Sequence, residues 1–422
     1  MKVMLLGSGG REHALAYKLS QSRILDKLYI MPGNAGTAQF GKNLKLGLMD
    51  FPTIARKCIE RKIDMLIVGP EAKLVEGIRD YFEKHPSTRG IMVVGPDKVA
   101  AGLEGSKHYA KKFMKQYKIP TAAYMSVNAS SLKKGLAFLD KQKAPFVLKA
   151  DGLAGGKGVL ICEDKKEAEA RLKEMLDGKF GKASETVLIE EFLRGIEMSV
   201  FVLTDGKNYQ LLPEAKDYKR VGEKDTGLNT GGMGAVSPVP FATEELMEKI
   251  ETRIIQPTIR GINRRRLAYT GFVFFGLMIV ENEPYVIEYN VRMGDPEAEV
   301  VLPRIKSDLL QHLHAACTQN IKNEKIQFDE RAACTVMLTS GGYPEAYEKG
   351  KEITGLDQVH DSLPFHAGTE EKAGRIYTAG GRVLALTSMG DDIKSALRQS
   401  YAAAEKVRFD KKYYRKDIGF DL

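Results

Sequence analysis

The sequence predicts a multidomain α/β protein, with a doubly wound parallel sheet first, a central unit built on a glycine-rich hairpin, and a small α+β unit last. Three observations predict it. Short apolar runs recur at residues 2–7 (KVMLLG), 27–31, 64–68 and 91–94, each closed by a Gly- or Pro-containing turn and separated by stretches with helical spacing. The stretch PFVLKADGLAGGKGV at 145–159 reads as strand, glycine tip, strand. The chain of 422 residues, 43% of them hydrophobic, exceeds the size at which one core keeps growing. The expected divisions are 1–103, 104–326 with a sub-unit over about 122–192, and 327–422.

Composition narrows the function classes. Lys and Arg number 64 against 55 Asp and Glu, a net +9 that favours anionic ligands and equally fits a basic solvated surface. The basic runs at 264–266 and 411–416 are short and carry aromatics only at Tyr413 and Tyr414, so no nucleic-acid interface is expected. The longest apolar run, 269–280, is too short for a membrane span, and Met1-Lys2 leads straight into a strand, so a cytoplasmic protein without membrane contact is expected. Cys58, Cys162, Cys317 and Cys334 are too scattered for a zinc knuckle or a redox pair.

In chain order, the first strand ends at Gly7-Ser8-Gly9-Gly10, and a helix begins at Arg11. The turn has the look of a dinucleotide loop, but Glu12 stands where its third glycine belongs, and its side chain is expected to block close helix packing. Free amides, a helix N-terminus and Arg11 still suit a small phosphorylated ligand. Asn34 and Thr37 in PGNAGTA and Glu71 in GPEAKLV sit at the neighbouring strand ends, the edge where open sheets bind ligands. Ordinary turn chemistry explains each of them equally well.

A helix with apolar face Ala110, Phe113, Met114 and Tyr117 follows Lys107, and the hairpin places Lys149 and Lys157 near bare glycine amides, a phosphate-binding combination. It is not a Walker loop. Asp151 stands where that motif needs glycine, and Gly158 where it needs a hydroxyl. In VLIEEFL, Glu190 and Glu191 interrupt an apolar strand whose end suits an adenine edge, with Glu197 beyond it for ribose hydroxyls; an edge strand with solvated acids is the plainer reading. Residues 213–240 show no period and carry Asp217 and Lys219, which predicts a long substrate loop. Two paired strands follow, and alternation puts Glu288 and Asn290 on one face, where two oxygens can share a cation such as Mg2+. Arg292 and Asp295, in the polar turn after them, suit a carboxylate or phosphate and an amine respectively. A single amphipathic helix is expected over 303–318, with His312 and His314 as packing or surface residues, and residues from about 330 as a cover for the site.

Together GSGGREHAL, PGNAGTA, GPEAKLV, LEGSKHYAKKF, VLKADGLAGGKGV, IEEFLRGIEMS, KDTGLNTGGMGAVSP, YNVRMGDPE and RKDIGF resemble the phosphoribosylamine–glycine ligases of purine biosynthesis, over almost the whole chain. The resemblance implies a central ATP-grasp fold whose mobile lid has residues 155–158 at its tip. It implies ATP held by Lys107, Lys149, Lys157, Glu190, Glu191, Leu193 and Glu197, and Mg2+ or Mn2+ held by Glu288 and Asn290. Gly9, Gly10, Arg11, Asn34, Thr37 and Glu71 would hold 5-phosphoribosylamine, while Asp217, Lys219, Arg292 and Asp295 would orient glycine and the transferring phosphoryl group, with Lys149 among the catalytic residues. The sequence departs from the family at Lys73, Ile196, Val291 and Met293, none of which is expected to carry chemistry. A monomer or homodimer acting on small molecules is implied. Another ATP-grasp carboxylate–amine ligase, or a dinucleotide-binding redox sensor, are the alternatives.

Overall fold

The computed structural model describes residues 1–45, 50–153 and 158–422. Strands Met92–Pro96, Met65–Val68, Lys2–Gly7, Lys27–Pro32 and Lys42–Asn43 lie side by side in that order, all parallel. The first strand shows why the run KVMLLG is apolar throughout: Met4 and Leu6 enter one core and Val3 and Leu5 the opposite one. A sheet buried on both faces has no polar side to alternate with. The strand order reverses at Lys2–Gly7, so its carboxyl end opens a crevice.

The sheet does not stop there. Strand Tyr269–Val280 runs antiparallel to the end of Met92–Pro96, pairing Tyr269 with Pro96 and Thr270 with Gly95, and then pairs with Ile196–Thr204 and Glu283–Asn290. The result is one nine-stranded sheet. A separate antiparallel sheet, ordered Tyr124–Val127, Val187–Glu191, Phe146–Ala150, Val159–Cys162, carries helices Leu132–Leu139 and Lys165–Glu174. Its small core, with Leu139, Leu148, Leu172 and Ile189 fully buried, is distinct from the two large ones.

Two sequence expectations change. The 213–240 segment is not an aperiodic loop but contains strands Lys216–Asp217, Arg220–Gly222, Thr226–Asn229 and Gly234–Ser237. They are too short to show a period. Gly234–Ser237 pairs with Ala332–Thr339, so this segment belongs to a five-stranded sheet with Arg382–Gly390 and Leu363–His366. The single helix over 303–318 is two, Ala298–Arg304 and Leu309–Cys317, because Asp308 caps the second by accepting the Gln311 N–H at 3.2 Å. His312 packs inside between Glu324 and Ser307, as expected for a structural histidine.

The last residues clasp the 213–240 segment. Arg415, fully buried, ion-pairs with Asp225 at 2.6 Å and Asp417 at 2.8 Å, while Asp421 accepts from Tyr218 at 2.9 Å and lies 3.1 Å from Lys216 Nζ.

A histidine pair joins helix Gly10–Leu19 to strand Leu363–His366. The His366 N–H donates to His13 Nδ1 at 2.6 Å, which only a neutral His13 can accept. Burial pushes His13 well below 6.5, with His366 adding to the effect, and burial lowers His366 from 6.5 to about 4. Below pH 6.5 the unfolded chain therefore binds protons that the folded one refuses. Stability is full above pH 6.5 and is lost as pH falls toward 4, His366 alone contributing at most about 3 kcal/mol. Urea unfolding from pH 7 to 4.5 is expected to show this loss, and His366→Gln to reduce its slope; an unchanged slope would refute the assignment.

Candidate active site

Helix Lys107–Tyr117 starts where the small antiparallel sheet meets the large one. Ser106 caps it, accepting the Tyr109 N–H and donating to Asp151, both at 3.0 Å, and the His108 N–H donates to Asp151 Oδ1 at 2.6 Å. Spacing of four puts Lys107 and Lys111 on one face. That face lines a cavity of about 160 Å³ together with Glu71, Glu190, Glu288, Asn290 and Arg292.

Glu190 pairs with Val147 across the sheet, so Lys149 lies diagonally opposite it. Lys149 Nζ is 3.0 Å and Lys111 Nζ 3.2 Å from Glu190 Oε2. Burial alone would raise the Glu190 carboxyl, but the two ammonium groups hold it below the usual range. Burial pushes Lys111 down to about 8 and lowers Lys107 too. Among the described residues Glu190 Oε1 has no hydrogen-bond partner, an orphaned acceptor beside the cavity. Glu191 is exposed and its carboxylate takes the Ala123 N–H at 3.3 Å, away from Glu190; Leu193 is half-buried just beyond. Lys157, at the expected lid tip, lies outside the described residues.

Glu288 and Asn290 share one face of strand Glu283–Asn290. Lys219 Nζ stands 3.8 Å from Glu288 and 2.7 Å from Glu197. Asp217 is buried close by, and Glu297 accepts from Ser199 Oγ at 3.1 Å. Four carboxylates thus surround one ammonium. Burial, reinforced by Glu297, Glu197 and Glu288, pushes Asp217 up to about 8 against the pull of Lys219, and burial raises Glu297 as well. Burial alone would lower Lys219, yet Asp217, Glu197 and Glu288 hold it well above its ordinary value. The cluster is short of positive charge, and Glu288 with Asn290 offers the hard oxygen donors that Mg2+ takes. Among the described residues no group of three or more His, Cys, Asp or Glu is placed to hold a metal by itself. A cation here would complete its shell with ligand oxygens and water.

The third region is the crevice at the carboxyl end of the parallel strands. Glu12 does not obstruct helix packing as expected. Its carboxylate folds into the turn, accepting the Gly9 N–H at 2.7 Å and Arg11 Nε at 2.6 Å. Gly7 and Gly69 make the room: a Cβ on either would come within 2.5 Å or less of the Glu12 side chain. Asn34 and Thr37 are consumed within the protein. Asn34 Nδ2 donates to Ser8 O at 2.9 Å and to His366 O at 2.6 Å, its Oδ1 accepts the Gly36 and Thr37 N–H groups, and Thr37 Oγ1 donates to Asn43 Oδ1 at 2.7 Å. They shape the turn from below. Asp295, expected to hold an amine, accepts the Arg11 N–H at 3.4 Å and pairs with Arg382 at 2.9 Å, so it too braces the 9–11 turn. Burial alone would raise its carboxyl, and Arg382 with Arg11 keeps it below the usual range.

Arg292 links this crevice to the cavity. Its Nη2 donates to Glu104 Oε1 at 2.6 Å, its Nε lies 3.7 Å from Glu71, and that Nε has no hydrogen-bond partner among the described residues. Glu104 in turn accepts the Val291 N–H at 2.8 Å. Glu104, Lys111 and Arg382 were not singled out from the sequence. Lys111 carried a signal, a lysine one turn after Lys107; Arg382 carried none, because Asp295 is 87 residues away.

A small antiparallel sheet over a lysine-lined cleft, closed on the other side by an antiparallel strand carrying Glu288 and Asn290, is the architecture of an ATP-grasp protein. Family models match the chain in three consecutive parts: the phosphoribosylglycinamide synthetase N domain at residues 1–104, its ATP-grasp (A) domain at 105–298 and its C domain at 333–421. The chain belongs to the phosphoribosylglycinamide synthetase family. It is 44% identical to the phosphoribosylamine–glycine ligase of Fusobacterium nucleatum over 99% of this chain and 98% of that one. The corresponding ligase of Pasteurella multocida is 45% identical, over 100% of this chain and 98% of that one. The crystal structure of a phosphoribosylamine–glycine ligase from Thermotoga maritima superposes with a TM-score of 0.84 at 36% identity, covering 99% of this chain and all of that one.

The Arg382–Asp295 pair gives a direct test of how the 9–11 turn is held. Arg382→Ala leaves a buried carboxylate without its cation and is expected to cost about 3 kcal/mol, whereas Asp295→Asn with Arg382→Ala should cost less than the sum of the two single changes. Urea denaturation of the four proteins measures the coupling. Additive effects would show that the pair does not act as a unit.

Proposed function

We propose that the protein joins glycine to 5-phosphoribosylamine at the expense of ATP, giving glycinamide ribonucleotide, ADP and phosphate in purine biosynthesis. One observation carries the reading: three sites of different chemistry, a lysine-lined cleft, a carboxylate cluster short of cation and a turn suited to phosphate, meet around Arg292. ATP fits the cleft, with Lys107, Lys149 and Lys111 toward its phosphates and the orphaned Glu190 Oε1 as an acceptor. The adenine edge and ribose contacts fall to residues 191–193 and Glu197. Glycine's ammonium fits the cluster at Asp217 and Lys219, and the sugar phosphate fits the turn at Gly9, Gly10 and Arg11 with Glu71 beside it.

Mg2+ or Mn2+ at Glu288 and Asn290, when bound, would neutralise the phosphate oxygens and polarise the γ-phosphorus. The protein's part is to align the reactants. A glycine carboxylate oxygen bonds to the γ-phosphorus as the bond to ADP breaks, and Lys149 and Arg292 spread the charge that develops. The amine nitrogen of phosphoribosylamine then bonds to the acyl carbon of glycyl phosphate, phosphate leaves, and the amine's proton passes to solvent. Closure of the lid sheet over the cleft would keep water from the acyl phosphate. No protein nucleophile takes part. Among the described residues no helix is long and apolar enough to cross a membrane, and we place the protein in the cytoplasm as a monomer or homodimer that binds small molecules rather than nucleic acid or membranes.

The decisive assay is ADP release. It is expected only with glycine, phosphoribosylamine, ATP and a divalent metal together, and to vanish on chelation. Glu288→Ala should abolish it with unchanged thermal unfolding, and Lys149→Ala should lower kcat by about 100-fold or more, with some loss of stability because the buried Glu190 keeps only Lys111 as its cation. Equal turnover with another carboxylate or amine in a substrate panel would reassign the enzyme within the ATP-grasp ligases. Full activity of Glu288→Ala would refute the metal site.

A further inference from the structure

Glu104 lies near the end of helix Lys98–Gly105, just ahead of Lys107, and is buried. Both of its oxygens are committed. Oε2 accepts the Val291 N–H at 2.8 Å and Oε1 accepts from Arg292 Nη2 at 2.6 Å, so one carboxylate grips two consecutive residues, the first by its backbone and the second by its guanidinium. Both follow directly on Asn290, the end of strand Glu283–Asn290. A buried ion pair is seldom more stable than packed apolar side chains of similar volume, so stability alone gives little reason to keep this one. What it supplies is geometry.

A free arginine side chain samples many rotamers, and holding it in one costs entropy. Here the Val291 N–H fixes the carboxylate, and the carboxylate fixes the guanidinium. Arg292 Nη1 donates in addition to Met293 O at 3.1 Å. Glu71 is no substitute for Glu104, because it is only half-buried and stands 3.7 Å from Nε, beyond hydrogen-bond reach. Nε has no hydrogen-bond partner among the described residues, and each Nη nitrogen carries a second N–H. The guanidinium is therefore held at two corners with donors to spare, beside a cavity that Lys107, Glu288 and Asn290 also line. Through the same carboxylate, the helix that leads to Lys107 is tied to the end of the strand that carries Glu288 and Asn290.

We propose that Glu104 is the positioning residue for Arg292: by accepting from Val291 and Arg292 together, it holds the guanidinium against the cavity in the orientation that phosphoryl transfer uses. The proposal rests on the reading that Arg292 spreads the charge of that step, and goes further by naming the group that orients it. Size alone does not suffice at this position. Glutamine fills the same volume but presents one acceptor and one NH2 to two donors, so either the Val291 N–H or the guanidinium must face a donor. The backbone cannot swing away; the arginine can.

ADP release in the complete assay is compared for wild type, Glu104→Gln, Arg292→Ala and the double variant, with ADP affinity by calorimetry reporting whether the nucleotide cleft is intact. Glu104→Gln should lower kcat by about 100-fold, the scale of a misplaced catalytic group, and leave ADP affinity within about twofold of wild type. Arg292→Ala should lower kcat at least as far. In the Arg292→Ala background, Glu104→Gln should change kcat by less than about threefold, because a residue that acts through the guanidinium has nothing left to orient. Should Arg292→Ala fold poorly, the split between kcat and ADP affinity in Glu104→Gln decides the question by itself. Wild-type kcat in Glu104→Gln, a loss of ADP affinity parallel to the loss of kcat, or an equal drop in kcat in both backgrounds would each overturn the proposal. Arg292→Ala turning over at the wild-type rate would overturn the part given to Arg292 in the proposed function, and this inference with it.

Discussion

Two residue pairs, Tyr269 with Pro96 and Thr270 with Gly95, fuse a parallel sheet to an antiparallel one, and the active-site geometry depends on that seam. The approach is close. A Cβ on Gly271 would lie 3.1 Å from Val94 Cγ1 and 3.3 Å from the Gly95 backbone nitrogen across the seam, while one on Gly95 would meet Leu74 of helix Glu71–Glu76 at 2.4 Å. Gly271 also has φ +130°, which an L side chain rarely adopts. Fusing the sheets fixes the turn at Gly9 to Arg11 relative to Glu288 and Asn290. Arg292 then spans the gap, with its guanidinium held by Glu104.

Charge imbalance organises the site. On the cleft side two lysines share one oxygen of Glu190; on the other side four carboxylates share Lys219. Under the proposed function each half is incomplete in the sense its ligand would correct: a triphosphate would supply anions to the first, and a cation with an ammonium would supply positive charge to the second. Isolated buried charges are costly, and such unevenness is tolerated where a ligand repays it.

Much of this was legible in the sequence because it is local. Alternation along PYVIEYN placed Glu288 and Asn290 on one face, and the glycine tip between two apolar runs gave the hairpin with Lys149. What escaped was non-local or miniature. The strands within residues 213–240 are two to four residues long, below any readable period; they pair with one another, and Gly234–Ser237 pairs in addition with a strand about a hundred residues onward. Arg382 acquires meaning only beside Asp295, and Glu12 fits its turn only because Gly69, in a different strand–helix connection, has no side chain. The helix expected over 303–318 failed for a different reason: its apolar spacing continues across Asp308, whose side chain prefers to end one helix and begin the next.

The C-terminal sheet borrows its outer strands, Lys216–Asp217 and Gly234–Ser237, from the middle of the chain. Dissection at the linear boundary near residue 327 would therefore separate hydrogen-bonded neighbours rather than modules. A fragment comprising the tail alone would carry Ala332–Thr339 as an uncovered edge, and its complement would carry Gly234–Ser237 with nothing to zip against. Open edges of this kind recruit strands from other molecules. The two pieces are thus better suited to reassemble with each other, or to aggregate, than to persist as autonomous domains.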